Sequence, residues 1–412
     1  LAGVASLTSE TAQENPCLPG GLIALDQWKT PETSVQKTLR SGLRDILQQL
    51  RAGMTPEDQA FESLDDLPAL SHAKLGRYAP QPEAGELAGA INECLASLRQ
   101  GGTHNRQVSF LVAPPFSGIQ GALRASGLRV ISPPDNLLMA EKDIPGWWDE
   151  QLAGDDWVVP ELADFWLRHR SGMGLLKEFF ARVAMEGAGK GMVGCSSWCW
   201  QFWVQYLPEL HVAPLTVAPL ADDRLTRWLA FLASGTAGGP LTARMTNDGL
   251  YVLPAPEEGC ERKYSDFARD LATMARGNRG VAHAVWQRTL RARAEEDTEN
   301  GDKEEKKDIP ANGPSCWVAP LEQLSLPAVP QSNGRQPGHI LHALLLHNGL
   351  TSEQLQLVTG LPGQEISLSL ARFQRADLVT QGDTAGAFRV TPLGYPAVRK
   401  YLQSRGYPVD GF

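Results

Sequence analysis

From Val108 to about Leu232 the chain alternates short, β-branched apolar runs with segments of helical periodicity. No other feature constrains the fold as strongly. Runs that are apolar at every position must be covered on both faces, and helical crossovers between parallel strands supply that cover. The expected strands are Val108–Val112, Arg129–Ser132, Trp157–Val159, Gly191–Cys195 and His211–Leu215, with helices near Gly118–Ser126, Gly172–Gly187 and Trp198–Tyr206. Several turns then fall at strand C-termini, where open α/β sheets bind ligands.

The first unit, VSFLVAPPFSGIQGAL from Val108 to Leu123, has the layout of a phosphate-binding loop without its chemistry. A working loop runs strand, G-x-x-x-x-G-K-[ST], helix, with Lys on the outer phosphates and Ser or Thr on Mg²⁺. Here the second glycine is Gly118, but Ala113 takes the place of the first, Ile119 that of the lysine and Gln120 that of the hydroxyl. The acidic strand end is altered too: in WVVPEL, Pro160 stands where an aspartate would hold the metal, and only Glu161 follows. Loss of all three groups argues against hydrolysis more strongly than any single change. Backbone amides from Phe116 to Gly121 leave room for weak residual anion binding.

Two more stretches complete a pattern. MVGCSSWCW, Met192 to Trp200, is a strand ending in small polar residues, and MARGNRGVAHAVW, Met274 to Trp286, contains a G-N-x-G-x-A turn between two helical segments. Taken together, residues from about 108 to 293 resemble a degenerate P-loop ATPase of the AAA+ or related signal-transduction ATPase kind. The resemblance implies a parallel sheet with a helical lid, and places Ser196 or Ser197 where such ATPases carry a polar sensor. It implies a vestigial nucleotide site at Phe116, Ser117, Gly118, Ile119, Gln120, Gly121, Glu161 and Ser196.

Other candidates are weaker. GAGKG, Gly187 to Gly191, lacks the leading glycine, has Gly191 in place of Ser/Thr and precedes a strand, so Lys190 reads as a solvated turn residue. His169 and His211 have no nucleophile elbow near them. The six cysteines, among them Cys260, show no metal-ligand spacing and are expected as thiols in a reducing cytosol. Cys195 and Cys199, four apart, would share a face if both were helical, and read as buried small hydrophobes. Trp147, Trp148, Trp157, Trp166, Trp198, Trp200 and Trp203 read as core or domain-interface residues. No metal or cofactor is expected.

The flanking regions divide as 1–102, a helical lead-in with helices over Thr33–Gly53 and Glu83–Arg99; 103–232, the α/β domain; 233–294, a lid-like helical region with a hairpin near Leu250–Leu253; and 295–335, a flexible linker. The linker assignment rests on EEDTENGDKEEKKDIPANG, Glu295 to Gly313, which has almost nothing to bury. Residues 336–412 have the order of a small α+β winged helix: Gly338–His347, a helix capped by Thr351 or Ser352, a third helix over Gly363–Ala376, strands Leu378–Gln381 and Phe388–Thr391, and a last helix Tyr395–Ser404. Its expected recognition face comprises Gln364, Ser367, Arg372 and Arg375, with Arg389 on the wing; Leu368, Leu370 and Phe373 are assigned to the core.

From Gly334 onward the charge is only +2, and the whole chain carries -9, so a nucleic-acid coat is excluded while a local DNA contact is not. No apolar run reaches the roughly 18 to 20 residues of a membrane span. The expectation is a cytoplasmic, non-catalytic regulatory or scaffold protein with a protein partner. A winged-helix regulator of double-stranded DNA is the alternative, and a weakly active nucleotide hydrolase the third.

Overall fold

The computed structural model describes residues 15–31, 67–102, 107–209, 212–255, 262–292, 314–331, 334–382 and 386–412. The helix expected over Thr33–Gly53, His211, Cys260 and the charged run from Glu295 to Gly313 lie outside them.

The lead-in contributes β1 (Leu22–Ala24), α1 (His72–Tyr78) and α2 (Ala84–Gln100). The α/β domain then runs β2 (Val108–Ala113), α3 (Ile119–Arg124), β3 (Arg129–Val130), α4 (Ile144–Leu152), β4 (Trp157–Val159), α5 (Gly174–Ala184), β5 (Gly191–Ser196), α6 (Ser197–Tyr206) and β6 (Leu215–Val217). The expected alternation holds, with two differences. The last strand begins where His211–Leu215 was expected to end. Helix α4 is additional: Pro145 and Gly146 look like breakers, but a proline in the first turn has no intrahelical N–H bond to lose.

The strands form one sheet in the order β1-β6-β2-β5-β4-β3, parallel throughout except for β1 against β6. Strands β2, β4 and β5 are buried at every position, as two-sided cover requires. One face packs on α2 and α3 through Leu87, Ile91, Ile119 and Leu123. The other holds most of the tryptophans, with Trp148, Trp157, Trp166 and Trp203 at 0–1 % exposure. Trp148 and Trp157 direct their Nε1–H groups to the carbonyls of Leu175 (2.9 Å) and Ala188 (2.8 Å), so the rings are buried without losing a hydrogen bond. Cys195 ends a strand and Cys199 lies in the following helix; both are buried, although not on one helical face.

Beyond the sheet come α7 (Asp222–Ser234), β7 (Thr242–Met245), β8 (Tyr251–Leu253), α8 (Phe267–Met274), α9 (Arg279–Thr289), β9 (Leu290–Arg291) and β10 (Ser315–Val318). Strands β8-β7-β10-β9 make a second sheet. The antiparallel pair of β7 and β8 falls at the hairpin expected near Leu250–Leu253. The linker expectation is corrected in part: by Ser315 the chain is a strand paired with β7.

The last unit is α10 (Gln336–Leu346), α11 (Ser352–Thr359), α12 (Gly363–Arg375), the hairpin β11 (Val379–Gln381) and β12 (Phe388–Val390), and α13 (Tyr395–Ser404). This is the winged-helix order. Thr351 and Gln354 close a reciprocal capping box at α11. Leu370 and Phe373 are buried, but Leu368 is 54 % exposed and so is not a core residue.

The winged helix is docked on the rest of the molecule. A continuous apolar core runs from Trp228 and Trp286 to Ile340 and Val398. Polar contacts fasten the same seam: Trp198 Nε1 donates to Tyr395 Oη at 3.1 Å, the Arg168 amide to His347 Nε2 at 3.3 Å, and Arg276 Nε to the Phe412 carbonyl at 2.8 Å.

Candidate functional site

The sheet order changes direction beside β2, since β3 lies at the far edge, β4 and β5 step back, and β6 falls on the other side. A crevice at the C-terminal ends of the strands on either side of such a point is where open α/β sheets hold ligands. Here it is a cavity of about 460 Å³, lined from the strand ends, the loop after β2, the start of α9 and the winged helix. All eight residues of the expected vestigial site line it.

The loop from Pro114 to Gly118 is tightly determined. Phe116 has φ 69° and Gly118 φ 84°, the left-handed region that glycine enters at little cost and phenylalanine does not. What holds Phe116 there is the turn before α9. Asn278 accepts from the amides of Gly280 and Val281 and donates through Nδ2 to the Pro115 carbonyl at 2.7 Å. Gly280 comes so close to the Phe116 carbonyl that a Cβ would lie 2.0 Å from the oxygen.

Two positions decide the loop's chemistry. Ile119, at the lysine position, is 4 % exposed and packed in the core. Gln120, at the hydroxyl position, faces Asn348 of the winged helix, whose Nδ2 is 3.5 Å from its Oε1. Helix α3 is only six residues long, and the Ile119 amide bonds the Ser117 hydroxyl at 3.4 Å, so the amides expected to cradle an anion form a weak cradle.

At the acidic strand end, Glu161 is buried. Its Oε1 accepts from the amides of Ala163 (3.0 Å) and Ser196 (2.9 Å), tying the end of β4 to the end of β5. Burial, reinforced by the nearby Asp164 carboxylate, raises its pKa to about 8 against those two hydrogen bonds and the Arg389 charge. Asp164 rises to about 6, again through burial, opposed by Arg389 and Arg124. At neutral pH Glu161 therefore keeps its proton, whereas Asp164 is mostly ionised.

Ser196 caps α6 through the Cys199 amide at 3.4 Å, while Ser197 donates to the Asp410 carboxylate, so the two sensor-like serines are both occupied by structure. Burial raises the Cys195 thiol well above its ordinary value, which disfavours the reactive thiolate. His169 closes a short turn by accepting from the Ser171 amide at 3.3 Å. Lys190 is exposed. Among the described residues, no group of His, Cys, Asp and Glu has the arrangement to hold a metal ion.

The five DNA candidates divide. Gln364, Ser367, Arg372 and Arg375 are exposed on α12. Arg389 instead turns inward, with Nε buried on the cavity lining and its charge acting on Glu161 and Asp164. Sequence reasoning missed Arg279, the buried first residue of α9, and the winged-helix residues Leu344, Leu345 and Asn348 on the cavity wall. Arg279 stands in the G-N-x-G-x-A stretch, where a cation between two glycines was the available signal. Nothing local marks the other three.

No protein-family model matches this chain, and no curated protein matches it. Among solved structures it is similar to the Aeropyrum pernix ORC2 protein in its ADPNP-ADP complexes, at 12 % identity and a TM-score of 0.28, over 95 % of this chain and 98 % of that one. So faint a likeness carries no argument, and the α/β assignment rests on the strand order and element sequence described above. No helix among the described residues is long and apolar enough to cross a membrane.

Proposed function

We propose that this chain is a non-catalytic regulatory or scaffold protein of the cytoplasm, built on a P-loop ATPase-like domain that has lost its hydrolytic groups and acts through protein contacts and its winged helix. The observation that carries this reading is Ile119: where a phosphate lysine would stand, the side chain is committed to the core. No charge there can offset that developing on a transferring phosphoryl group, a requirement that dominates such catalysis. The partner surface favoured is α12, where Gln364, Leu368, Arg372 and Arg375 fall on one stripe by helical spacing and Leu368 is exposed. The test is ATP turnover by the purified chain. None is expected, and turnover that disappears in Glu161→Gln overturns the proposal.

A second reading, a regulator that binds double-stranded DNA, is favoured by one observation: the four exposed candidates on α12 face solvent while other parts of the winged helix are docked on the rest of the molecule. Its test is a salt-dependent shift of duplex DNA, lost when Arg372 and Arg375 become alanine. Arg389→Ala should leave that shift unchanged, because its Nε is buried on the cavity lining.

A further inference from the structure

Arg279 is 7 % exposed and held on two sides: Nη2 donates to the Cys17 carbonyl at 2.7 Å, and the guanidinium stands 5.0 Å over the Trp228 ring. Its Nε and Nη1 are shut off from solvent and have no hydrogen-bond partner, and among the described residues no carboxylate acts on its charge. Burial lowers its pKa to about 10, so it remains a cation at neutral pH. Arg389 also lines the cavity, but Glu161 and Asp164 feel its charge, whereas no carboxylate acts on Arg279. A buried charge without a counter-ion beside a cavity calls for an anion.

The rest of the wall limits which anion. Leu87, Trp228, Phe231 and Leu232 give it an apolar side, and about 460 Å³ is within the range of small-molecule sites. Ile119 and Gln120 provide no cation for a chain of phosphates. We propose that the cavity binds a small organic anion, a single phosphate or carboxylate on a flat apolar body, with the Arg279 guanidinium as its counter-charge. Leu344, Leu345 and Arg389 of the winged helix complete the lining.

This inference rests on the non-catalytic reading, and the experiment separates the two. The full chain is titrated by calorimetry with 2-naphthyl phosphate, 2-naphthoate, neutral 2-naphthol and Mg·ATP. At least one naphthyl anion should bind one to one, about tenfold or more tighter than 2-naphthol, as expected for a charge-assisted hydrogen bond. Arg279→Met, which keeps an unbranched stem against Trp228, should lose that advantage. Binding of neither anion, equal binding of 2-naphthol, or wild-type affinity in Arg279→Met overturns the inference, as does Mg·ATP binding tighter than both anions. If the variant does not fold, the ratio of anion to naphthol on the unaltered chain decides alone. ATP turnover with anion binding intact overturns the non-catalytic reading only.

Discussion

Asn278 donates from Nδ2 to the carbonyl of Pro115 at 2.7 Å, joining residues 163 apart in sequence, while its Oδ1 caps α9 at 3.0 and 3.2 Å. One buried amide thus holds the loop after β2 against the turn that follows α8. Asn278→Ala removes a cap worth about 1 kcal/mol and strands a buried carbonyl at a further 1–3 kcal/mol or so. A loss of roughly 2–4 kcal/mol is expected in urea unfolding. A midpoint equal to wild type would show that the contact does not hold the loop.

Gly280 gives a steric version of the same test. Its Cβ in a Gly280→Ala variant would lie 2.0 Å from the Phe116 oxygen, and the atom it meets is backbone. Either the loop or α9 must shift, at roughly 1–3 kcal/mol for overpacking of this kind. The thermal midpoint of the variant measures it, and no decrease would contradict so close an approach.

Glu161 should make the chain less stable in alkali. Its folded pKa, about 8, lies above the ordinary value of 4.5. The folded state therefore keeps a proton that the unfolded state has released, and stability falls as pH rises from about 4.5 to 8. Glu161→Gln keeps the oxygen that accepts from Ser196 and Ala163 and removes the titration. It should gain roughly 3–4 kcal/mol on wild type between pH 5 and pH 8. A difference that does not change with pH, measured by unfolding at both values, would refute this.

The buried histidines act in the opposite direction. Burial lowers His347 to about 3 and His342 to about 4, below their ordinary 6.5. The unfolded state then binds protons that the folded state refuses, so stability present above pH 6.5 is lost as pH falls toward those values. In His347→Gln this loss should shrink by roughly 2 kcal/mol between pH 7 and pH 5 relative to wild type. Parallel pH profiles for the two proteins would count against it.

Arg399 and Asp410 form a buried pair, Nε to Oδ1 at 3.2 Å, under the tail that also bonds Ser197. Arg399→Met removes the cation that Asp410 bonds directly, leaving it only the charge of Arg276, and should cost about 3–5 kcal/mol. Combining it with Asp410→Leu should recover much of that. If the double variant is as unstable as the sum of the singles, the pair is not coupled and the assignment fails.

How far the sequence reached follows from the range of each interaction. The alternation from Val108 to Val217, the order of the winged helix and the Thr351 cap are local patterns, because apolar periodicity and capping bond residues within a turn or two of each other. Ile119 and Pro160 could be singled out for the same reason: each occupies a fixed offset within one short stretch. What only the tertiary structure decided is the seating of the winged helix over the strand ends. That depends on pairs such as Asn348 with Gln120, 228 residues apart, and His347 with Arg168, 179 apart, whose complementarity leaves no periodic trace in the chain. The seating turned Arg389 inward, left α12 facing solvent, and closed a cavity beside Arg279, two of whose N–H groups are buried without a partner. A residue's type was set by the sequence, but which surface it meets was set by packing between elements far apart in the chain.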